Sequence, residues 1–499
     1  MIHRLFTLAL LLGVRAATLS AQGARDASPA DRARDVAITH VTVIDVAGGR
    51  RLPDQTVVVR GTRIEVVRPA TRTTPPRGAR IIDGRGKFLV PGLWDMHVHL
   101  STTGSDRTRI PLLLAHGITG VRAMSQECMR DCAGDPFTLD SIRAWREATA
   151  RGVRLFPRLV VSGPSIDGPK PARTRAWPAA TAEEGAAGVR LTRERGGDFV
   201  KVYSLLPRAA FFGAVREARQ LGLPVAGHVP ASLWPSEASD SGMASLEHDL
   251  GIWEECSTRH AEWRSRLDSL SAVGGGAGFA GISGFVTTDV MESYDDARCR
   301  ALFATLRRNR TWLVPTLVLR QGFARQVDGE NAARDTRLRY VPRAQRAAWQ
   351  PGADFRASAL GRAGAAARME RRRREPALVA RAYAAGVRIL AGTDMGNPYV
   401  FAGSSLHEEL QLLVEGGLTP AQALRAATLE PASFLHATDS LGSIAPGKLA
   451  DLVLLHANPL ADVANTQRIH AVMANGRYLD RTALDALLAD AERAAAASP

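Results

Sequence analysis

Short apolar runs alternate with helical patterns along the middle of this chain, which favours a parallel α/β architecture. Eight of the runs have the length of buried strands, and they lie at residues 93–96, 120–122, 159–161, 200–202, 225–227, 245–247, 313–315 and 389–392. Eight such strand–helix units are what a (β/α)8 TIM barrel requires. The pattern therefore predicts an α/β fold with a barrel over residues 91–439.

The two ends of the chain have a different sequence pattern from the middle. Residues 36–90 and 440–485 contain β-rich runs, such as 56–67 and 471–478, that end or turn at glycine. We expect the two segments to build one small β-sandwich beside the barrel.

Two stretches of the barrel region are longer than ordinary connections between a strand and a helix. They lie near residues 250–310 and 325–375 and carry helical patterns. We interpret both as helical insertions over the mouth of the barrel, where they would shape substrate choice.

The N-terminus has the order of regions found in secretory signals. Arg4 precedes the apolar residues 5–14, and small residues follow as far as Ala21. We expect residues 1–21 to be a signal peptide and the protein to be exported, to the periplasm or out of the cell. An apolar run of about ten residues is too short to span a bilayer, so no stable membrane insertion is expected after cleavage.

Export would make the four cysteines candidates for disulfide bonds. Cys128 with Cys132 and Cys256 with Cys299 are the pairs to test first. The sequence itself does not fix the pairing.

A formal net charge of +14 raises the question of a polyanionic partner. The arginines are scattered, however, and only residues 371–374 form a run, in a helical pattern that we interpret as a solvated helix face. The composition therefore predicts no nucleic-acid partner. A small-molecule substrate is expected, and a homo-oligomer is left open.

Lysine is rare in the chain, and one of the few lysines lies in a buried strand. Only four of the 64 basic residues are lysines, namely Lys87, Lys170, Lys201 and Lys448. Lys201 lies in residues 198–204, a short apolar strand that ends in polar residues. A primary amine can react with CO2 to give a carbamate, a carboxylate-like ligand that bridges two metals, whereas a guanidinium cannot. Lys201 is therefore a candidate for carboxylation by CO2.

Side chains with the chemistry of metal ligands follow other predicted strands. His97 and His99 come after the first strand, where a period of two points both imidazoles to one side, and His228, His248 and Asp394 follow the fifth, sixth and eighth strands. Barrel enzymes build their active sites at the face formed by the C-terminal ends of the strands. Imidazoles and carboxylates are ligands for zinc and similar ions. With a carboxylated lysine they match a site for two divalent metal ions, zinc or alternatively manganese, cobalt or iron.

With these ligands in this order, the chain resembles the amidohydrolase superfamily, in its two-metal branch and in the imidazolonepropionase-like and prolidase-like group. The resemblance is carried by residues 88–99 and 441–452 and by the order of the six candidate ligands. It implies a metal-dependent hydrolase of a carbon–nitrogen bond, in which a metal-bridging hydroxide attacks the substrate.

The resemblance also implies a role for each candidate ligand. It places the more buried metal on His97, His99 and Asp394, the more exposed metal on His228 and His248, and carboxylated Lys201 between the two metals. Asp394 would in addition take a proton from the attacking hydroxide and pass it to the leaving nitrogen.

Two departures from dipeptidase-like relatives bear on the substrate. Those relatives commonly carry a Gly-Gly-His turn after the third strand and a tyrosine after the fifth-strand histidine, and residues 162–170 and 228–232 carry neither. Tyr203 is the candidate to replace the missing donor to the substrate carbonyl, with packing under the barrel mouth as the alternative. Arg122 would either bind a substrate carboxylate or form a structural ion pair, and His407 is interpreted as a helix-packing residue.

We therefore expect an exported hydrolase of an amide, an N-acyl amino acid, a small peptide or a cyclic amide. A lactonase or phosphotriesterase with the same two-metal site is one alternative. A mononuclear deaminase is another, but it would need a glutamate shortly after His228, and residues 229–233 contain none. A non-enzymatic scaffold should have lost ligands, and all six candidates are present.

Overall fold

The computed structural model describes residues 35–100, 105–125, 138–285, 287–327, 332–350, 352–353 and 361–498. The predicted signal peptide and the pair Cys128 and Cys132 lie outside these residues. The strands are β1 Val36–Asp45, β2 Arg50–Arg60, β3 Arg63–Pro69, β4 Arg80–Asp83, β5 Phe88–Pro91, β6 Leu93–Val98, β7 Ile118–Ala123, β8 Arg158–Asp167, β9 Trp177–Pro178, β10 Phe199–Val202, β11 Val225–Gly227, β12 Met243–Glu247, β13 Trp312–Val314, β14 Leu452–Leu455, β15 Ile469–Ala474 and β16 Arg477–Leu479.

Helices alternate with the strands of the central region. They are α1 Ser105–Ala115, α2 Leu139–Ala150, α3 Ala182–Glu194, α4 Arg208–Leu221, α5 Pro235–Asp240, α6 Ile252–Glu255, α7 His260–Val273, α8 Gly275–Ser283, α9 Thr288–Glu292, α10 Asp296–Arg308, α11 Leu317–Val327, α12 Arg343–Ala348, α13 Gly361–Ala384, α14 Ser404–Gly416, α15 Pro420–Ala426, α16 Leu429–Phe434 and α17 Arg481–Ala497. Short 3-10 turns occupy Ala70–Arg72, Thr336–Tyr340 and Val463–Gln467. None of the described helices combines the length and the apolar character needed to cross a lipid bilayer.

The central strands form a (β/α)8 barrel, as the alternating pattern predicts. Parallel pairing joins β6, β7, β8, β10, β11, β12 and β13 in that order. The eighth strand position closes the ring, because Leu390 N donates to Leu313 O at 2.9 Å on one side and Met96 N donates to Ala391 O at 2.9 Å on the other. Helices cover the outside, so the strands are buried on both faces and read as continuous apolar runs in the sequence.

The two ends of the chain meet in one mostly antiparallel sheet. Its strands follow the order β16, β15, β14, β5, β1, β2, β3, and β4 pairs with β1. The N- and C-terminal segments join where β5 pairs with β14, from Pro91 opposite Leu452 to Phe88 opposite Leu455. A separate apolar core beneath this sheet includes Leu89. The two chain ends have similar β-rich sequences because they form a single structural unit.

Both long stretches of the barrel region contain helices. The first holds α6 to α10 between β12 and β13, and the second holds α11, α12 and α13 between β13 and the eighth strand. A disulfide between Cys256 and Cys299 joins the two ends of the first stretch, across a sequence separation of 43 residues. A cross-link of this span stabilises a fold by about 4 kcal/mol, chiefly by restricting the unfolded chain.

Glu409 on α14 places a carboxyl group in the apolar core. The side chain is fully buried, and its Oε2 accepts a hydrogen bond from Val318 N at 2.7 Å at the start of α11. Its Oε1 has no hydrogen-bond partner among the residues that the structure describes. Burial raises the pKa of Glu409 to about 8, with a further contribution from nearby carboxylates. Glu409 is therefore protonated at neutral pH.

We expect wild type to lose stability at high pH because of Glu409, and we expect Glu409→Gln to be free of this loss. Between the pKa of an unfolded glutamate, about 4.3, and the folded value of about 8, only the folded state binds the proton, so the free energy of unfolding falls as pH rises. Glutamine cannot ionise, and the variant should be roughly 2–4 kcal/mol more stable than wild type at pH 9 and nearly equal to it at pH 5.

Urea denaturation at both pH values measures this difference. The exposed Glu415 lies on the same helix, and Glu415→Gln is the matched control that should leave the pH dependence unchanged. Equal pH profiles for wild type and Glu409→Gln would contradict the assignment of a buried, protonated Glu409.

Candidate metal centre

The six candidate ligands lie at one mouth of the barrel, on five strand ends. They are His97 and His99 at the end of β6, Lys201 in β10, His228 after β11, His248 after β12, and Asp394 after the eighth strand. All of them are buried except His99, whose side chain is 29% exposed. The polar strand ends predicted from the sequence thus converge on one region.

Asp394 lies at the middle of the group. Its Oδ1 is 3.0 Å from His99 Nε2 and 3.4 Å from His97 Nε2, and its Oδ2 is 3.8 Å from His248 Nε2. The ligand atoms of His97, His248 and Asp394 all lie within 4.8 Å of one another. His228 continues the cluster, with its ring centroid 5.0 Å from that of His248. These donor atoms are close enough to share bound cations.

The backbone at this mouth adopts conformations that side chains usually avoid. His248 has φ 65°, Asp394 has φ 60° and Thr316 has φ 51°, all in the left-handed region. Such strain persists only where the surrounding structure imposes it, and it concentrates at functional sites. Here it turns the side chains of His248 and Asp394 inward directly after their strands end.

Three of the imidazoles are oriented in the same way. The Nδ1 atoms of His97, His228 and His248 lie 2.8, 2.7 and 2.6 Å from Glu247 Oε2, Ser204 Oγ and Thr316 Oγ1, respectively. Each Nε2 is then available as a ligand atom, because a hydrogen bond at the other ring nitrogen fixes the orientation of the imidazole, as it does around metal-binding histidines. Burial lowers the pKa of His97 to about 4, and it lowers the pKa of His228 and of His248 well below the ordinary value. The imidazoles are therefore neutral at pH 7.

Lys201 is an amine without a partner in the core of this region. Its side chain is fully buried, and Nζ makes no hydrogen bond to any residue in the described part of the chain. Burial lowers the pKa of Lys201 to about 8, against the opposite influence of Glu247 and Asp394. About a tenth of the amine is therefore unprotonated at pH 7, far more than for an exposed lysine, and the unprotonated amine is the form that reacts with CO2.

A buried ion pair supports the centre from below. Arg122 Nη2 donates to Glu247 Oε1 at 2.6 Å, Nη1 donates to Ser245 Oγ at 2.9 Å, and Nε donates to Met96 O at 2.7 Å. Burial alone would raise the pKa of Glu247, but Arg122 and His97 hold it far below its usual range. Of the two roles considered for Arg122, the structure shows the structural ion pair. Glu247 was missed as a functional residue, although a charged residue in a buried strand implies a nearby partner.

We expect Glu247→Gln to weaken the centre without touching a candidate ligand. The change removes the anionic partner of His97 Nδ1 and leaves the charge of Arg122 uncompensated in the core. It should lower metal affinity about 10- to 100-fold and the free energy of unfolding by about 3–5 kcal/mol. Metal titration and urea denaturation measure the two effects.

Glu254→Gln is the matched control for this variant. Glu254 is also buried and lies a few residues further along, but burial raises its pKa to about 7, so the substitution changes little charge. If both variants bound metal as wild type does, Glu247 would have no role in orienting His97.

Tyr203 lies beside the centre, with its ring stacked on His228 at a centroid distance of 4.1 Å. The residue is 6% exposed, and its Oη accepts a hydrogen bond from Arg173 Nε at 3.3 Å. The ring therefore packs under the mouth, while the hydroxyl proton remains able to donate elsewhere. The geometry is compatible with both roles considered for Tyr203.

A cavity of about 750 Å³, open to solvent, lies over His228 and His248. Its walls are largely apolar, and they include Leu250, Phe279, Leu319 and Phe323, together with arginines from α11 and α13. Both insertions contribute to the walls.

The expectation that residues 371–374 form a solvated helix face is wrong for Arg371. The run lies on α13 as the pattern indicates, but Arg371 is only 4% exposed, and its Nε donates to Asp249 Oδ2 at 2.7 Å. Arg320 also binds Asp249, at 2.6 Å, and binds Glu375 at 3.1 Å. The carboxylates that pair with Arg371 lie outside the arginine run, on another turn or another element. The run alone therefore did not indicate that Arg371 is buried.

His407 has the helix-packing environment expected for it. It is fully buried on α14, where its Nδ1 lies 2.9 Å from Thr466 Oγ1 and its Nε2 lies 3.0 Å from His116 O. Both ring nitrogens are thus used in contacts between elements, away from the barrel mouth.

Comparison with known proteins gives consistent matches over nearly the whole chain. Residues 88–479 match the sequence model of the amidohydrolase family. Imidazolonepropionase from Anaeromyxobacter dehalogenans is 26% identical over 435 residues, which cover 81% of this chain and 84% of that protein. The structure of a bottromycin amidohydrolase superposes with a TM-score of 0.70 at 27% identity, over 94% of this chain and 92% of that one. A Xaa-Pro dipeptidase structure superposes with a TM-score of 0.62 at 19% identity, over 89% of this chain and 100% of that one, and at this identity the likeness concerns the fold alone.

Proposed function

Because this chain belongs to the amidohydrolase family, whose members are metal-dependent hydrolases of carbon–nitrogen bonds, we propose that it cleaves such a bond in an amide with a two-metal centre. The proposed substrates are N-acyl amino acids, small peptides and cyclic amides. The proposed ligands are the six residues at the barrel mouth, with Lys201 carboxylated and bridging.

Three buried atoms without a well-formed hydrogen bond carry this proposal. His97 Nε2 and Lys201 Nζ make none within the described ranges, and Asp394 Oδ1 has only its ion-pair contacts with His99 and His97, at 3.0 and 3.4 Å. Buried polar atoms without partners are rare in folded proteins, and each one calls for an explanation. Neutral imidazole and carboxylate, with a carbamate on the lysine, are the donor set that zinc, manganese, cobalt or iron would accept. Bound cations would take His97 Nε2 and Asp394 Oδ1 as ligands, and carboxylation would make Lys201 Nζ part of a carbamate whose oxygens could bind the same cations.

Divalent cations at this position supply Lewis acidity toward a substrate carbonyl and make water a nucleophile near neutral pH. Asp394 then serves as the proton acceptor. Burial alone would raise the pKa of Asp394, but the adjacent histidines keep it well below its usual range, so Asp394 is present as the carboxylate, the form that accepts a proton. The same carboxyl group returns the proton to the leaving nitrogen. The hydroxyl of Tyr203, held by Arg173, donates toward the substrate oxygen.

The cavity over His228 and His248 supports an apolar group next to the scissile bond. Phe279 and Phe323 line it, and an acyl chain or an aromatic side chain would bury apolar surface there. The disulfide between Cys256 and Cys299 supports the further proposal that the mature protein is exported and works in an oxidising compartment.

The experiment that tests the proposal combines metal analysis with a substrate panel. The protein is produced with zinc or manganese and bicarbonate, its metal content is measured by elemental mass spectrometry, and N-acyl amino acids, dipeptides and cyclic amides are assayed beside a lactone, a phosphotriester and an aminopurine. We expect about two metals per chain and amide hydrolysis that stops on chelation. Hydrolysis of only the lactone or the phosphotriester, or one metal with ammonia release from the aminopurine, would overturn it.

A further inference from the structure

A second cavity lies outside the barrel mouth, between α1 and the start of α14. We name it the α1/α14 cavity. Its empty space is about 490 Å³, including the part that opens to solvent. The lining includes Arg109, Arg337, Tyr340, Gln345, Trp349 and Phe401. The cavity over the metal centre is lined by other residues, so the two spaces are separate.

Arg109 is the unusual residue of this cavity. It is only 6% exposed, and its Nη1 donates to the carbonyl oxygen of His99 at 2.6 Å. Its Nη2 is buried and makes no hydrogen bond to any residue in the described ranges. Burial lowers the pKa of Arg109 to about 10, so the guanidinium keeps its charge at neutral pH. A buried cation without an anionic partner is costly, which raises the question of what compensates it.

The other arginine of the cavity is compensated within the protein. Arg337 Nη2 lies 2.7 Å from Asp335 Oδ2, and its Nη1 lies 2.9 Å from Glu408 Oε1. Over the described residues no carboxylate lies within ion-pair distance of Arg109. One positive charge therefore remains, and it matches a monoanion better than a dianion such as phosphate. A guanidinium also binds a carboxylate through two parallel hydrogen bonds.

The walls facing this charge are aromatic. Trp349 and Phe401 are each 5% exposed and pack edge to face at a centroid distance of 5.9 Å, and Tyr340 lines the same space. Flat apolar walls of this kind bury an aromatic ring at small cost in side-chain entropy. Among the described residues, the recognition elements of this cavity are thus the guanidinium of Arg109, which has no ion-pair partner there, and the accessible edges of Tyr340, Trp349 and Phe401.

We propose that the α1/α14 cavity binds a small aromatic carboxylic acid, with its carboxylate on Arg109 and its ring against Trp349 and Phe401. This site is distinct from the metal centre and does not depend on the hydrolase activity. The two are neighbours, because Gly396 separates them: a Cβ on Gly396 would lie 3.3 Å from His99 Cβ and 3.5 Å from Arg109 Nη1.

Calorimetric titration of the metal-loaded protein with 3-phenylpropionate tests the proposal. We expect one binding event, no binding of the neutral 3-phenylpropionamide, and weaker binding of acetate and inorganic phosphate. Arg109→Gln should weaken phenylpropionate about 10- to 100-fold, since a charge-assisted hydrogen-bond pair is lost. Arg107→Gln, on the exposed face of the same helix, should leave affinity unchanged.

A second pair of variants avoids the core. Gln345 lines the rim of the cavity, and Gln345→Glu should weaken the carboxylate about threefold to tenfold by repulsion, whereas Ala348→Glu on the exposed face of α12 should not. This pair decides the matter if Arg109→Gln does not fold. Wild-type affinity in Gln345→Glu, or tighter binding of phosphate than of phenylpropionate, would overturn the proposal. Unchanged affinity in a folded Arg109→Gln, with binding abolished by chelation, would place the carboxylate at the metal centre instead.

Discussion

Asp394→Asn should lower turnover roughly 10³- to 10⁴-fold, the size of effect expected when a general acid–base group is removed. The substitution keeps the shape of the side chain and one oxygen near His97 and His99, from which Asp394 Oδ1 lies 3.4 and 3.0 Å away. It removes the charge and the ability to accept a proton. The loss should therefore appear in kcat rather than KM.

Two further variants make this result specific. His228→Asn would remove a proposed ligand of the more exposed metal only, and it should reduce turnover less than Asp394→Asn does. Asp54 is an exposed residue of β2, and Asp54→Asn is the control for loss of an aspartate. It should have no effect on turnover. Normal turnover by Asp394→Asn with wild-type metal content would remove the proton-transfer role.

Metal content should fall from about two metals per chain to one or fewer in both Lys201→Ala and Lys201→Arg. Turnover should be lowered about 10³-fold or more in both variants. The arginine variant is informative because it keeps a positive charge but cannot form a carbamate. If the buried Lys201 served only as a cation, arginine would partly replace it. Metal content by elemental mass spectrometry is the primary measurement.

Chemical rescue separates a missing ligand from a damaged fold. In Lys201→Ala the fully buried side chain leaves a void beside Asp394 and Glu247, and acetate or propionate added to the buffer can enter it and supply the missing carboxylate. We expect partial recovery of both metal binding and turnover, and none in Lys201→Arg. Full metal content in the unrescued arginine variant would rule out the bridging carbamate.

The barrel and the candidate centre were predictable because their signals are local. Each candidate ligand lies within an apolar strand, as Lys201 does in β10, or follows one within a few residues, as His248 follows β12, and parallel strands carry all such ends to one mouth. The eighth strand position also showed in the sequence, although in the structure isolated bridges, such as Leu313 with Ile389, and backbone hydrogen bonds mark it instead of an extended strand.

The features that sequence reasoning missed depend on contacts between distant residues. Arg122 and Glu247 are 125 positions apart, and Arg371 and Asp249 are 122 positions apart. Neither partner carries a local pattern that indicates the other. Arg109 is the opposite case. Its guanidinium has no anionic partner among the described residues, and only the packed structure can show that a partner is lacking.

The composite sheet has a consequence for biosynthesis. β5 can pair with β14 only after the whole barrel between them has been translated, because β5 ends at Pro91 and β14 begins at Leu452. Until then the edge of β5 beside Leu89 is open, and open strand edges are templates for aggregation. A nascent or truncated chain that stops before β14 should therefore be insoluble even though every barrel strand is present. A strand translated after the whole barrel thus determines whether the strands that precede the barrel stay soluble.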